Sequence, residues 1–463
     1  MSENDTIAAI STPLGEGGIG IVRLSGPQAF SIVERILDCS KKSSPDFPRP
    51  RYLYYGHIKD FRGAVIDEVL VAFMPAPHTY TREDIVEINC HSGIFTLRAV
   101  HRLVLAAGAR TAEAGEFTKR AFINGRIDLS QAEAVLSMIR ARSVEAVKVA
   151  ARGLQGELMD RIEAAREQII TLRAPLEASF DYPEEFDEDE FDYRTLEKKL
   201  ATLKADLHEM LKGAEKNRAY QEGVSVAIIG KPNVGKSSLL NALLQQQRAI
   251  VHEIPGTTRD LLEGYLNLGG YPIRLVDTAG IQGTSDPVEK QGIDLSRSAA
   301  GLARLIILVF DGSAGWTEAD EEIAGIRRLE QGLVVVINKR DLEPKLKPEL
   351  ISSRFPEISI VETSAVQGRG IKELEEAVTA ELDRIFNTET VSESPVVVSI
   401  RHEEILEQAR QHLDHALKAV KEQPLEIVSL ELQNAWSKLG EITGDTINEN
   451  LLDKIFSEFC LGK

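Results

Sequence analysis

Three textures of apolar and polar residues follow one another along the chain, and one of them returns. Up to about residue 120, short apolar runs sit between Gly and Pro punctuation. Ile19–Leu24, Val69–Phe73 and Ile85–Ile88 read as strands, and Phe30–Leu37 and Leu97–Ala107 read as helices between them. This predicts an α+β domain. From about Ser130 the period lengthens. Leu154, Leu158, Ile162, Ile169, Leu172 and Leu176 recur at three-, four- and seven-residue spacings, which predicts one apolar helical stripe. Ser130 followed by Glu133 predicts a capping box at the start of this region. The acidic run Glu184–Glu190 reads as a solvated connector rather than a metal site, and a second helical pattern spans Tyr193 to about Lys216.

Residues 222–384 alternate apolar strands with helical stretches, the pattern of βαβ units around a parallel sheet. Helical texture then resumes. Ile405, Ala409, Leu413 and Leu417 are spaced by four, and a last helix ends in Ile455, Phe456 and Phe459. Helices thus flank the α/β segment on both sides. Either the α/β domain is inserted into one helical domain, or two helical domains exist. The textures place boundaries at 1–120, 121–217, 218–384 and 385–463.

Composition narrows the function classes. A length of 463 residues suggests about three domains. Lys+Arg total 54 against 72 Asp+Glu, a net charge of −18, which argues against a broad basic face for nucleic acid. An RNA partner would need a local patch or a helper protein. Cys39, Cys90 and Cys460 are far apart and odd in number, which predicts a reducing, cytoplasmic setting without a disulfide framework. The acidic start Met1–Asp5 predicts no signal peptide. The most apolar stretch, Leu302–Phe310, contains Arg304 and is too short to span a bilayer, so no membrane partner is expected.

The chemistry concentrates in the α/β segment. The apolar run Val224–Ile229 enters Gly230-Lys231-Pro232-Asn233-Val234-Gly235-Lys236-Ser237 and then Ser238-Leu239-Leu240. This is a G-x-x-x-x-G-K-S loop between a strand and a helix, the context in which backbone N–H groups cradle phosphates. Lys236 is expected to neutralise the β- and γ-phosphates and Ser237 to ligate Mg²⁺. Asp277-Thr278-Ala279-Gly280 follows a predicted strand at Ile273–Val276; an Asp there can hold Mg²⁺ through water and a Gly N–H can sense the γ-phosphate. Asn338-Lys339-Arg340-Asp341 follows Val334–Ile337. The Asp341 carboxylate can accept from guanine N1–H and the exocyclic amine, a pair adenine lacks. Lys339 can lie along the base plane, and Asn338 can tie the loops together. Thr363-Ser364-Ala365 follows the next strand and can offer a backbone N–H to guanine O6. Each tetrapeptide alone fits an ordinary strand-to-helix turn; all four in order point to a GTP site.

Between the first two elements lies Gly256-Thr257-Thr258-Arg259-Asp260, where a GTPase keeps a switch loop, and Thr258 is the expected Mg²⁺-completing residue. Ile281 follows the Asp-Thr-Ala-Gly element and cannot orient a water as a Gln does. Glu289, in the second switch region, is a candidate for that role; the alternative is a solvated Glu at a helix start.

These residues resemble the MnmE (TrmE) family of tRNA-modification GTPases, among the potassium-dependent, dimerisation-activated P-loop GTPases. The resemblance covers the whole chain. It includes Thr12-Pro13, Gly17–Gly26, Tyr80-Thr81 with Glu83–Glu87 and His91, Gly115–Thr118, Arg120–Phe122, Asn124–Arg126 and the closing Phe459-Cys460-Leu461-Gly462-Lys463. It implies an N-terminal α+β folate-binding-like domain, a central helical domain and a Ras-like doubly wound α/β G domain inserted in it. It implies a homodimer, a flavoprotein partner (MnmG) in a heterotetramer-like complex, tRNA as substrate, and 5-formyltetrahydrofolate or a related tetrahydrofolate as one-carbon donor at the wobble uridine. It implies that Asn233, Thr257 and backbone groups of His252 and Ile254 bind K⁺, and that Glu289 orients the attacking water. Arg23, Glu87, Arg126 and Lys463 resemble the folate contacts, with Arg126 standing where some members carry Lys. The resemblance also makes Cys460 functionally important; a cysteine that merely packs is the alternative, and a prenylation box fits Gly462 and Lys463 poorly.

Two other function classes share the GTP site. One is a regulatory or ribosome-assembly switch; the chain carries no KH-type Gly-x-x-Gly in context and no basic tail to support it. The other is a folate enzyme that uses its G domain only as a regulator.

Overall fold

The computed structural model describes residues 5–41, 44–45, 47–182, 192–211, 213–246, 266–276, 300–326, 331–386 and 399–463. The chain divides into two compact units. The first comprises residues 1–136, 159–171 and 433–463, and the second residues 137–158 and 172–432. The helical pieces Met159–Thr171 and Gln433–Lys463 therefore cluster with the N-terminal region rather than with the other helices.

The first unit is built on a seven-stranded sheet. Its elements are β1 (Ile7–Ile10), β2 (Gly20–Ser25), α1 (Ala29–Ile36), β3 (Leu37–Asp38), β4 (Leu53–Lys59), β5 (Val65–Met74), β6 (Ile85–Cys90), α2 (Ile94–Ala106), β7 (Arg110–Thr111) and α3 (Glu116–Ile123). The strand order is β3-β4-β5-β6-β2-β1-β7, antiparallel except for the β1–β7 pair. Alternation explains the one-sided core. In β2, Val22 and Leu24 are fully buried while Ile21 and Arg23 are not. α1 buries Ile32, Val33 and Ile36, and α2 buries Leu97, Val100 and Val104, at helical spacing. Each such side chain contributes about 1.5–3 kcal/mol on burial.

Helices follow. α4 (Leu129–Arg140), α5 (Val144–Leu154), α6 (Glu157–Asp181), α7 (Tyr193–Leu211) and α8 (Ala214–Glu222) precede the second sheet. Here the structure corrects three expectations. The capping box at α4 is Asp128 with Gln131, not Ser130 with Glu133. The Asp128 carboxylate accepts from Gln131 N, and the Gln131 side chain accepts from Asp128 N. Ser130 already lies in the first turn and donates to Asp128. The stripe from Leu154 to Leu176 is not one helix: it breaks at Gln155–Gly156, where Gly156 takes φ 85°, and only Leu158 onward belongs to α6. The Tyr193–Lys216 pattern is likewise divided, at Gly213 with φ 81°. At each break a glycine in the left-handed conformation ends the helix, a local feature that the apolar spacing does not report.

The second sheet has six strands: β8 (Val224–Ile229), β9 (Leu266–Leu268), β10 (Tyr271–Leu275), β11 (Leu305–Asp311), β12 (Gly332–Asn338) and β13 (Ser359–Glu362). Its order is β13-β12-β11-β8-β10-β9, parallel except for the β9–β10 hairpin. The helices α9 (Lys236–Gln246), α10 (Glu318–Ala324), α11 (Pro348–Arg354) and α12 (Ile371–Ile385) connect or cover it. β11 and β12 are apolar almost throughout, as strands covered on both faces must be. The remaining helices are α13 (Ile400–Glu422), α14 (Leu425–Thr443) and α15 (Glu449–Ser457). Ile405, Ala409 and Leu413 are buried in α13 as their spacing predicts, while Leu417 is half-buried. Among the described residues no helix is long and apolar enough to cross a membrane.

Candidate functional site

The phosphate loop follows from β8. Its four-residue run Val226–Ile229 is buried and ends at Gly230, where a Cβ would stand 2.4 Å from the carbonyl oxygen of Val309. Only glycine passes there. Asn233 (φ 63°) and Gly235 (φ 99°) then turn the backbone into the N-terminus of α9. Lys236 opens that helix and donates from Nζ to the carbonyls of Gly230 and Lys231, both at 2.8 Å. Its burial lowers the ammonium's pKa. Ser237 is half-buried in the first turn, and Ser238 beside it is exposed. Lys231 anchors the loop from the side: its Nζ reaches Asp320 Oδ2 at 2.6 Å and Thr317 Oγ1 at 3.0 Å, the residues that cap α10.

Asn338, at the end of β12, joins three loops. Its amide donates to Val234 O at 2.9 Å, and its Oδ1 accepts from Thr363 Oγ1 and from Ala365 N, each at 3.1 Å. Asn338, Thr363 and Ser364 are all nearly inaccessible to solvent. Lys339 takes φ 63° and pairs through Nζ with Asp311 Oδ2 at 2.7 Å. The Asp311 carboxyl lies below its ordinary pKa: burial opposes ionisation, but the bonds from Lys339 and Ser313 outweigh it. Ser364 Oγ donates to Asp341 Oδ1 at 2.6 Å, which fixes that carboxylate.

Thr257, Thr258, His252, Ile254, Asp277, Thr278, Ala279, Gly280, Ile281 and Glu289 lie outside the described residues. The structure thus brings together Asn233–Ser238, Asn338–Asp341 and Ser364–Ala365 from the expected set. Sequence reasoning passed over Asp311 and Lys231. Asp311 had a legible signal, a carboxylate at the C-terminal end of a parallel strand, where open α/β sheets place ligands.

A second cluster lies in the first unit. Arg23 on β2 and Glu87 on β6 are directly opposed partners, so their side chains share one face of the sheet. Arg23 Nε and Nη2 both stand 2.8 Å from Glu87 Oε1. Arg23 Nη1 also donates to Gly462 O at 3.3 Å, which brings the Leu461–Lys463 segment to the pair. Ala114 and Leu461 form a β-bridge, and Ser11 Oγ donates to Gly462 O. Gly462 has φ 86°, and a Cβ there would lie 2.7 Å from Ile10 O. Cys460 is exposed, so it is not a packing cysteine. Arg126 instead stacks 4.7 Å from the Tyr80 ring centroid and donates to Tyr80 O, in an open pocket that also includes His78 and Arg82.

A parallel sheet carrying a GxxxxGKS loop on its first strand and an Asn-Lys-x-Asp loop wired back to it defines a P-loop GTPase, here joined to an antiparallel α+β unit and long helices. Comparison with known families agrees. Residues 6–126 match the model of the GTP-binding protein TrmE N-terminus, and residues 129–460 match the MnmE helical domain. The tRNA modification GTPase MnmE of Bacillus pumilus (strain SAFR-032) is 45% identical over 467 residues, covering 99% of this chain and 100% of its own. That of Geobacillus kaustophilus (strain HTA426) is 46% identical over 468 residues, covering 100% of both chains. That of Bacillus subtilis (strain 168) is 44% identical over 467 residues, covering 99% and 100%. The chain belongs to the MnmE family of tRNA modification GTPases. It is a GTP hydrolase of tRNA modification.

Proposed function

We propose that this GTPase works as a homodimer with the flavoprotein MnmG in the cytoplasm, installing an aminomethyl or carboxymethylaminomethyl group at C5 of the wobble uridine of certain tRNAs. A tetrahydrofolate such as 5-formyltetrahydrofolate supplies the one-carbon unit. The reading assigns folate binding and dimerisation to residues 1–120, a helical domain to 121–217 and 385–463, and the G domain to 218–384.

The observation that carries the GTP reading is the Asn338 junction, which holds the phosphate loop, the Lys339–Asp341 loop and the Ser364–Ala365 loop in one arrangement. Lys236 exchanges its two backbone carbonyls for phosphate oxygens. Asp341, already oriented by Ser364, accepts from guanine N1–H and the exocyclic amine. The Ala365 N–H serves guanine O6 as the second arm of a bifurcated donor, because Asn338 Oδ1 takes the first. A half-buried hydroxyl at the start of α9 and an exposed Asn233 amide above it suit cation ligands. Ser237 with Thr258 would hold Mg²⁺, with Asp277 supporting it through water. Asn233 with Thr257, His252 and Ile254 would hold K⁺. Once bound, the two cations would supply positive charge against the phosphates. Thr278, Ala279 and Gly280 sense the γ-phosphate, and Glu289 orients the attacking water in place of Ile281.

The Arg23–Glu87 pair suits a folate. The carboxylate can receive the pterin amino and N–H donors, while Arg23 and Lys463 meet acceptor or anionic groups. Arg126, fixed on Tyr80, would serve the same ligand from its pocket. Cys460, exposed beside Leu461, belongs to the modification step.

The test is GTP turnover in K⁺ against Na⁺ at matched ionic strength, followed by wobble-uridine modification with MnmG. Strong K⁺ dependence and folate-dependent modification are expected. Equal rates in both salts would remove the ion role of Asn233, and modification without folate would remove that of Arg23 and Glu87.

A further inference from the structure

We propose that His412, His415 and Glu431 form a site for a divalent transition-metal ion of the zinc class, which joins α13 to α14. The placement follows from the chain. His412 and His415 are three residues apart and so share a face of α13. The helix ends at Glu422, and α14 begins at Leu425 after Pro424. His415 stands eight residues before Gln423 and Glu431 eight after it, so the turn returns Glu431 beside both imidazoles.

The geometry is close to that of a coordination shell. His412 Nδ1 lies 2.6 Å from Glu431 Oε2, and His415 Nδ1 lies 3.8 Å from the same oxygen. One ligand atom from each of the three residues falls within 4.8 Å of the others. Ligand atoms about 2.0–2.1 Å from a tetrahedral ion are about 3.3 Å apart, between the two observed separations. The imidazole–imidazole separation, bounded at 4.8 Å, exceeds that value by up to about 1.5 Å, so the exposed His415 ring must swing inward to close the shell. The ion would take the place of the proton that His412 Nδ1 shares with Glu431. That proton moves to Nε2 or, from a charged ring, to solvent.

The donor set is selective. Two imidazoles and one carboxylate favour zinc-class ions over Mg²⁺, which prefers all-oxygen shells. The neighbouring carboxylate Asp414 is engaged by Lys204 and Lys418, so it does not compete for the ion. His415 is exposed while His412 and Glu431 are half-buried, which leaves an entry path and an open coordination position.

The experiment uses the full chain, stripped with chelator and titrated calorimetrically with ZnCl₂ in excess MgCl₂, with metal content measured after gel filtration. One equivalent of Zn²⁺ is expected. Loss of even an outer partner of a metal ligand weakens binding about tenfold or more. His415→Ala and Glu431→Gln should therefore each weaken the Zn²⁺ event by at least that factor. His415 is solvent-facing, so its variant keeps the fold. His91→Ala, at an exposed His–Asp pair on the first sheet, should leave the binding intact. Cobalt substitution gives a second readout: a ligand-field absorption that saturates at one equivalent and disappears in His415→Ala. No retained Zn²⁺ in the natural chain, or equal uptake by His415→Ala and Glu431→Gln, would overturn the assignment.

Discussion

Replacing Asn338 with alanine should loosen guanine-nucleotide binding by breaking the junction of three loops. The side chain makes one bond to Val234 O and receives one each from Thr363 Oγ1 and Ala365 N. Intramolecular hydrogen bonds of this kind are worth about 1 kcal/mol each, so about 3 kcal/mol is lost. The orphaned Val234 carbonyl and Thr363 hydroxyl belong to buried residues, where water cannot readily replace the missing partner. That energy holds the phosphate loop against the two base-reading loops. A nucleotide that spans all three must then supply the alignment itself. At 1.4 kcal/mol per decade, the loss corresponds to about a hundredfold weaker GDP and GTP binding. Thr363→Val removes only one of the three bonds and should cost about 1 kcal/mol, a factor of about five. Dissociation of a fluorescent GDP, with thermal melting in parallel, measures both effects. An Asn338→Ala variant that binds GDP within about threefold of the natural chain and melts unchanged would refute the reasoning.

Three further outcomes follow from the same structure. Gly235→Ala places a Cβ 2.3 Å from Asn338 Nδ2 at φ 99° and should abolish GDP binding in equilibrium titration while the two sheets still form, as circular dichroism would show. Glu87→Gln and Arg23→Ala should abolish folate-dependent tRNA modification but leave GTP turnover within about twofold, because both residues belong to the compact unit that carries none of the GTP-loop residues. Glu116 is buried with a bidentate bond from Arg110 and one from Glu113 N; Arg110 is partly exposed and keeps Asp5, so Glu116→Gln should cost about 1.5–3 kcal/mol in chemical unfolding. Its carboxyl lies below the ordinary value: burial raises it, but the bonds from Arg110 and Glu113 N outweigh that. The stabilisation is thus present above about pH 4, the unfolded value, and is lost as pH falls through the lower folded value. Acid unfolding of Glu116→Gln should lack that part of the slope.

The α/β segment that carries the GTP loops was the more legible in sequence. Its strands are continuous apolar runs because both faces are covered, and each run ends in residues whose chemistry requires a strand end. Val224–Ile229 coincides with β8, and Val334–Ile337 lies within β12. Strands β1, β3, β4, β7 and β9 escaped reading, and β11 showed only as the most apolar stretch. Two of them, Leu37–Asp38 and Arg110–Thr111, are two-residue edges, and β4 alternates around a central Gly56. Such strands are specified by the partner that pairs with them rather than by their own pattern. Helix existence was readable and helix limits were not. The apolar stripe runs on through Gln155–Gly156, where α5 stops and Gly156 at φ 85° precedes α6.

The Arg23–Glu87 cluster, reached in the sequence only through the family resemblance, shows what local pattern leaves unread. Arg23 and Glu87 are 64 residues apart in the chain, and their union depends on a β2–β6 register that no local pattern reports. A one-residue slip would send the two side chains to opposite faces. The same register would not by itself produce a ligand site, because a lone Arg–Glu pair satisfies itself. What changes its character is the third group. Gly462 O draws off one Arg23 nitrogen, and Ser11 Oγ holds the same carbonyl. The segment reaches this place only because Gly115 and Gly462 both take positive φ where a Cβ would strike backbone, at Phe456 O and Ile10 O respectively. Two glycines without chemistry of their own therefore bring the Gly462 carbonyl to the Arg23–Glu87 pair. Alanine at Gly462 would disturb that grouping while leaving every charged residue in place.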